Sequence, residues 1–156
     1  MRWLLIWAII CLAVAKALVR FVPFNVWRRS LGVVVDPTSA DFPTGADLSG
    51  DALAFLHQPA CDDATLRHAM LLGRLVDRAA EKLPGISKCL PRAAALQWML
   101  RSTRIPSSLV IAFSLKDRSG PDAFHAWTEV RGQMLVGQCD RLDYRPIMAL
   151  CQLPPN

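Results

Sequence analysis

Apolar residues recur at helical spacing in two neighbouring stretches near the middle of the chain. The first stretch predicts a helix that begins at Asp62 or Asp63, either of which is a suitable N-cap, and ends near Leu83, before the Pro84-Gly85 pair. The positions that recur on one face of this helix are Leu66, Ala69, Met70, Gly73, Val76, Ala79, Ala80 and Leu83.

The second stretch predicts a helix from about Cys89 to Ser102. Pro91 is tolerated only in the first turn of a helix, because proline has no N–H and clashes with the preceding turn, so it fixes where this helix begins. Pro106 prevents the helix from continuing.

Beyond Pro106 the pattern changes from helical spacing to strands. The strands that we predict are Ser108–Leu115, Phe124–Val130, Gln133–Val136 and a further short strand within Arg141–Leu150. Arg131-Gly132 forms a tight hairpin turn between the second and the third of them. Helices followed by an antiparallel sheet predict an α+β fold.

The N-terminal segment predicts an apolar helix with aromatic residues near both ends. It carries no charge from Trp3 to Ala15, continues through Lys16 and Arg20 to Val22, and ends at Pro23. Counted to Val22, it reaches the length of about 20 residues that a bilayer-spanning helix needs. Three interpretations stay open: a cleaved signal peptide, a membrane anchor, and a helix that packs on the domain or on a partner protein.

The domain organisation follows from these patterns. Residues 1–35 form the apolar, basic N-terminal arm. Residues 36–50 are rich in Asp, Pro, Gly and Ser without any period, which is typical of a linker. Residues 51–156 form the folded domain.

Composition and charge narrow the class of protein. The 156 residues are 53% hydrophobic, which excludes a disordered chain, and the five cysteines contain no C-x-x-C pair, which favours reduced thiols in a cytosol-like compartment. The net charge of +5 comes from the arm, because five basic residues precede Asp36 and the remainder is neutral. Basic residues beside an apolar helix favour an anionic surface over nucleic acid as the partner.

Cys89 and His125 are the candidate chemical groups. Cys89 follows Lys88 at the start of a helix, where the positive end of the helix dipole and the ammonium group favour the thiolate. His125 lies in a strand, on the same face as Trp127 and Glu129, and an imidazole there can act as a general base. We expect Glu129 to be solvated and the other four cysteines to be inert.

A third group would orient the imidazole. If Arg131-Gly132 is a two-residue turn, the hairpin register places Gln138 opposite His125 and Asp140 just beyond it. Taken alone, a lone cysteine and a lone strand histidine are more often core residues than catalytic ones.

Two segments carry a resemblance to a known family. Leu83–Ala112, LPGISKCLPRAAALQWMLRSTRIPSSLVIA, resembles the core of the lasso-peptide leader peptidases, which are transglutaminase-like cysteine peptidases of bacterial peptide natural-product pathways. It contains the family's Lys-Cys-Leu-x-Arg helix start, although Arg104 stands where the family's Gly-Ile-Pro-like turn has glycine. Phe124–Gly132, FHAWTEVRG, resembles the family's His-Ala-Trp-Val-Glu-Val-x-Gly strand and turn.

The resemblance implies a transglutaminase-like or papain-like core in which Cys89 is the nucleophile and His125 the base. Relatives carry an acidic residue about where Val136-Gly137 stands here, so Asp140 is the expected third catalytic residue, with Gln138 as its substitute. No cofactor and no metal are expected. The backbone N–H of Cys89 would contribute to the oxyanion site.

The activity that the resemblance implies is cleavage of the leader from a ribosomally made lasso-peptide precursor. The implied partners are that precursor, a leader-recognition protein and an ATP-dependent cyclase, all in the bacterial cytoplasm. Residues 1–30 would dock on these partners or on the inner membrane surface. The alternatives are an acyl transferase of the same superfamily, a catalytically silent peptide-binding module, and a small membrane protein whose function lies in the arm.

Overall fold

The computed structural model of the chain describes residues 2–35, 62–83, 88–116, 119–120 and 123–152. The expected linker, residues 36–50, lies outside the described residues. The described α-helices are α1 (Arg2–Phe21), α2 (Phe24–Trp27), α3 (Asp63–Lys82) and α4 (Cys89–Ser102). The described strands are β1 (Val33–Val35), β2 (Ser108–Ser114), β3 (Phe124–Val130), β4 (Gln133–Val136) and β5 (Tyr144–Cys151).

Local caps and prolines set the ends of the two central helices, α3 and α4. The Asp62 side chain caps α3 by accepting the backbone N–H of Thr65 at 2.8 Å, which satisfies one of the unpaired donors of the first turn. Helix α4 keeps Pro91 in its first turn, as predicted. Two residues beyond the end of this helix, Arg104 has a left-handed backbone with a φ of 57°. Such a position after a helix usually holds glycine.

The apolar N-terminal helix is part of the packed structure. One face of α1 contacts α3 and α4, and Ala8, Leu12 and Ala15 on that face are fully buried. Pro23 separates α1 from α2, whose Trp27 is buried beside Trp98 of α4. Of the three interpretations of this segment, packing on the domain is therefore what the structure shows, while the outer face of α1 stays exposed.

The five described strands form one antiparallel sheet in the order β1-β5-β2-β3-β4. The β3–β4 hairpin turns at Arg131-Gly132, with φ angles of 51° and 73°, the left-handed pair that a two-residue hairpin turn needs. Thr128 pairs with Val136 but Glu129 pairs with Met134, so Leu135 is an extra residue, a β-bulge. The register expected from the turn is therefore lost beyond Glu129.

A buried glutamine joins α4 to the sheet and to the loop before β1. Gln97 is fully buried, and its amide donates to the carbonyls of Leu31 at 3.0 Å and Leu150 at 2.9 Å. Its carbonyl oxygen accepts the hydroxyl of Ser107 at 3.1 Å. These contacts satisfy polar groups that would otherwise be costly in the core between the helices and the sheet.

The α+β prediction is confirmed, and most predicted elements are found within a residue of their bounds. Helix α4 and strands β3 and β4 have the bounds predicted from the sequence. The last strand begins only at Tyr144, because Arg141–Asp143 forms a short 3-10 helix that Asp140 caps. Strand β1 and helix α2 were not predicted, since each is too short to show a period.

Candidate active site

Helix α4 presents Cys89 at its N-terminus, next to the start of β3. Cys89 is half-buried, and its Sγ lies 4.0 Å from the carbonyl oxygen of Phe124. The buried hydroxyl of Thr128 donates to the carbonyl of Ala93 at 2.9 Å, which ties the first turns of α4 to the same strand. These contacts fix the cysteine relative to β3 and therefore relative to His125.

His125 lies in the second position of β3, half-buried beside two aromatic rings. The centroid of its ring is 5.1 Å from that of Tyr144 and 6.3 Å from that of Trp127, with interplanar angles of 31° and 35°. Contact with two rings restricts the rotation of the imidazole, because a rotation away from them loses contact area.

The side chains of Cys89 and His125 are in hydrogen-bonding contact, although they stand on different elements. Burial opposes ionisation of Cys89 and is the largest single influence on it. The hydrogen bond and charge of His125, together with the backbone N–H groups of Ala126 and Leu90, outweigh burial and leave the pKa of the thiol below its ordinary value. A cysteine with a lowered pKa beside an imidazole is typical of thiol nucleophiles.

The other nitrogen of the imidazole has a defined partner. Nε2 of His125 lies 3.0 Å from the carbonyl oxygen of Gly137. A carbonyl can only accept a hydrogen bond, so Nε2 carries the proton in this pairing. In the neutral ring Nδ1 is then unprotonated and is the nitrogen that can take a proton from Cys89.

Gly137 can occupy its position only because it is glycine. Its φ is +74°, and a Cβ placed on it would lie 2.4 Å from the carbonyl oxygen of Ala126. Both the backbone angle and the close approach to β3 exclude a larger side chain. The role of this residue could not be predicted from the sequence, because a backbone carbonyl leaves no signal in the side-chain pattern.

Gln138 and Asp140, the expected third groups, make other contacts. The Gln138 amide donates to the carbonyl of Met134 at 2.8 Å, and Gln138 is not placed opposite His125, because the bulge at Leu135 shifts the register. The Asp140 carboxylate accepts the backbone N–H of Leu142 at 3.0 Å and caps the 3-10 helix. A catalytic role for Asp140 stays a prediction.

A buried ion pair fixes the segment that follows Gly137. Glu129 is 3% exposed, so the expectation that it is solvated is wrong. Its carboxylate accepts the guanidinium of Arg141 at 2.6 Å and the indole N–H of Trp127 at 2.9 Å. Arg141 also donates to the carbonyl of Gly132 at 2.7 Å and lies over the Trp127 ring. The network joins Arg141, at the C-terminal end of the loop that carries Gly137, to β3 and to the β3–β4 turn.

The remaining described cysteines differ from Cys89 in their chemistry. Burial raises the pKa values of Cys139 and Cys151, which disfavours their thiolates. Across the described ranges, no three His, Cys, Asp or Glu side chains come together in a way that could hold a metal ion.

Comparison with known proteins gives the class to which this fold and site belong. A family model described as the transglutaminase-like superfamily matches residues 18–149, which is most of the chain and includes both Cys89 and His125. The chain therefore belongs to the transglutaminase-like superfamily, whose members include cysteine peptidases and acyl transferases. No curated protein and no solved structure matches it.

Proposed function

We propose that the protein is a cysteine peptidase that removes the leader from a ribosomally made lasso-peptide precursor, with Cys89 as nucleophile and His125 as general base. The observation that carries the enzymatic part is the contact between a thiol of lowered pKa at a helix N-terminus and an imidazole whose other nitrogen donates to the Gly137 carbonyl. The choice of substrate is supported by the two sequence segments that resemble the leader peptidases.

The first half of the reaction makes an acyl-enzyme. His125 Nδ1 takes the proton of the Cys89 thiol, and the thiolate attacks the carbonyl carbon at the leader–core junction. The tetrahedral oxyanion forms near the N-terminus of α4, where backbone N–H groups and the helix dipole favour negative charge. When the intermediate collapses, the C–N bond breaks and the imidazolium gives its proton to the leaving amine of the core peptide.

The second half releases the leader. Water gives a proton to His125 and attacks the thioester carbon, and the Cys89 sulfur leaves as the leader carboxylate forms. During each half the Gly137 carbonyl holds the Nε2 proton, which leaves Nδ1 as the nitrogen that exchanges a proton with the sulfur, the leaving amine and water. The product of the first half is a free amine, the group that a partner cyclase would join to an acidic side chain.

The test is to incubate the full chain with a lasso-peptide precursor that still carries its leader, together with the leader-recognition protein that binds that leader. We expect two fragments whose summed mass exceeds the precursor by one water, and none with the Cys89→Ala variant. Cys139→Ala is the matched control, because it removes a thiol of raised pKa and should cleave normally.

Other outcomes of this experiment point to the alternatives. If an added amine were joined to the leader fragment in place of water, the protein would be an acyl transferase. If Cys89→Ala retained the full biological function, the fold would serve as a silent peptide-binding module.

A further inference from the structure

The outer face of α1 is an exposed apolar stripe on a helix that is otherwise packed. Trp3 is 82% exposed and Phe21 is 80% exposed, at the two ends of a helix about 30 Å long. Between them, Ile6, Trp7, Ile10 and Val14 are each between 43% and 48% exposed. Contiguous apolar surface of this kind is rare on a soluble domain unless something covers it.

A cluster of arginines lines a groove formed partly by the segment that follows this helix. Arg28, Arg29, Arg101 and Arg104 line one open groove of about 670 Å³. Arg101 donates to the carbonyl of Ser30 at 2.7 Å, which fixes the end of α4 against the segment that leads out of α1. The ion pairs found among the described residues involve Arg92, Lys116, Arg131 and Arg141. None of these pairs includes an arginine of the groove.

The backbone at Arg104 forms the left-handed cap that follows α4. Arg104 has a φ of 57°, in the region where a glycine would be relaxed. Its side chain lines the groove together with the three other arginines.

We propose that α1 and the arginine cluster dock on a bilayer that contains anionic phospholipid, with the apolar stripe at the boundary between headgroups and acyl chains. The stripe is apolar along its whole length and includes Trp3, Trp7 and Phe21, the kind of side chain that interfacial helices bury on their apolar face. The arginines of the groove complement lipid phosphates, and no acidic residue occurs before Asp36.

The same packing shows why α1 lies along the membrane surface. Ala8, Leu12 and Ala15 on the inner face are fully buried against the domain. Only 22% of the apolar stretch within Trp3–Phe21 is buried in this way. A spanning helix would have to leave α3 and α4 and lose that packing. An interfacial helix keeps it and buries only the exposed stripe. The proposal does not depend on the peptidase activity.

Co-sedimentation of the full chain with vesicles tests the proposal. We expect binding to vesicles of equimolar phosphatidylcholine and phosphatidylglycerol, and binding to pure phosphatidylcholine at least about tenfold weaker. The triple variant Arg28→Gln/Arg29→Gln/Arg104→Gln should weaken binding to the anionic vesicles on the order of a hundredfold, at about 1 kcal/mol per cation. Trp3→Gln/Trp7→Gln should weaken binding to both kinds of vesicle.

The matched control removes the same charge from another surface. Arg67, Arg74 and Arg78 are exposed on α3, and their triple substitution by glutamine should leave binding to the anionic vesicles within about twofold of the unchanged chain. All substituted side chains are at the surface or partly exposed, so circular dichroism should show every variant folded.

Two results would overturn the proposal. One is a folded chain that binds neither kind of vesicle, which would leave a protein partner or a second copy of the chain as the occupant of the stripe. The other is an equal loss of binding in the α3 control, which would show that net charge alone, and not this surface, attracts the lipid.

Discussion

The carbonyl oxygen of Gly137 lies 3.0 Å from Nε2 of His125, where the triad logic of thiol and serine enzymes places a side-chain acceptor. The main chain therefore supplies the group that orients the imidazole. A neutral carbonyl fixes the tautomer as a carboxylate would, but it stabilises the imidazolium less, because it carries no full charge.

Gly137→Ala should impair catalysis more than its effect on stability explains. The positive φ and the 2.4 Å approach of a Cβ to the Ala126 carbonyl force the backbone to move, and the Gly137 carbonyl moves with it. A displacement of about 1 Å costs on the order of a hundredfold in kcat. The measurement is precursor cleavage, together with the pH dependence of Cys89 alkylation.

Gly32→Ala is the matched control for this substitution. Gly32 has a φ of +142°, and its Cβ would meet the Cys151 carbonyl at 2.5 Å, beside the arginine groove and away from His125. Both variants should lose stability, but only Gly137→Ala should lose cleavage. Equal losses of cleavage would show that strain, not the His125 contact, is responsible.

Asp140→Asn should retain most of the cleavage activity. Asparagine is as good a cap as aspartate, so the bond to the Leu142 N–H is preserved and the fold is unchanged. The imidazole keeps its acceptor at Gly137. A fall of kcat by about four orders of magnitude, as for the loss of a true triad carboxylate, would instead establish Asp140 as the third catalytic residue.

Cys89 should react with iodoacetamide at lower pH than the other described cysteines. Alkylation needs the thiolate, so a lowered pKa shifts the reaction of Cys89 to lower pH, whereas burial shifts Cys139 and Cys151 to higher pH. Peptide mass spectrometry after short exposures from pH 5 upward measures each site, and Cys139 and Cys151 are internal controls.

His125→Ala should move the alkylation of Cys89 to higher pH. The substitution removes the hydrogen bond and the charge of His125 that lower the pKa, so that only two backbone N–H groups oppose burial, which raises it. Alkylation of Cys89 should then begin at higher pH than in the unchanged chain. If the pH dependence of Cys89 did not change, the contact with His125 would not be what activates the thiol.

Local signals explain which parts of the fold could be predicted. Helix α4 and strand β3 were predicted with the bounds that the structure has, because Pro91, Pro106 and an alternating pattern fix them within the chain itself. The bulge at Leu135 could not be predicted, since it depends on how β4 fits against β3 and α3. A register without the bulge predicts Gln138 opposite His125. In the structure the Gly137 carbonyl lies against the imidazole instead.

The burial of Glu129 was missed for a related reason. Glutamate usually faces solvent, and so does glutamine, the residue type of Gln97. Both are buried because partners distant in the chain satisfy them: Arg141 for the carboxylate, and the Leu31 and Leu150 carbonyls for the amide. Such pairings appear only when the elements come together.

Glu129→Gln should destabilise the fold by about 2–4 kcal/mol. The substitution keeps an acceptor for Trp127 but removes the charge that compensates Arg141, whose side chain is only 28% exposed. Breaking a fully buried pair costs about 3–5 kcal/mol, and access of Arg141 to water lowers that figure. Urea unfolding monitored by fluorescence measures the change.

Asp63→Asn is the control for that loss, because it breaks the pair between Asp63 and Arg131, in which both side chains are largely exposed. An exposed pair contributes less than about 1 kcal/mol, so the control should unfold almost as the unchanged chain does. If Glu129→Gln cost no more than this, the Glu129–Arg141 pair would not be what holds the loop bearing Gly137 on β3. If the loop is held as described, the variant should also cleave more slowly at urea concentrations well below unfolding.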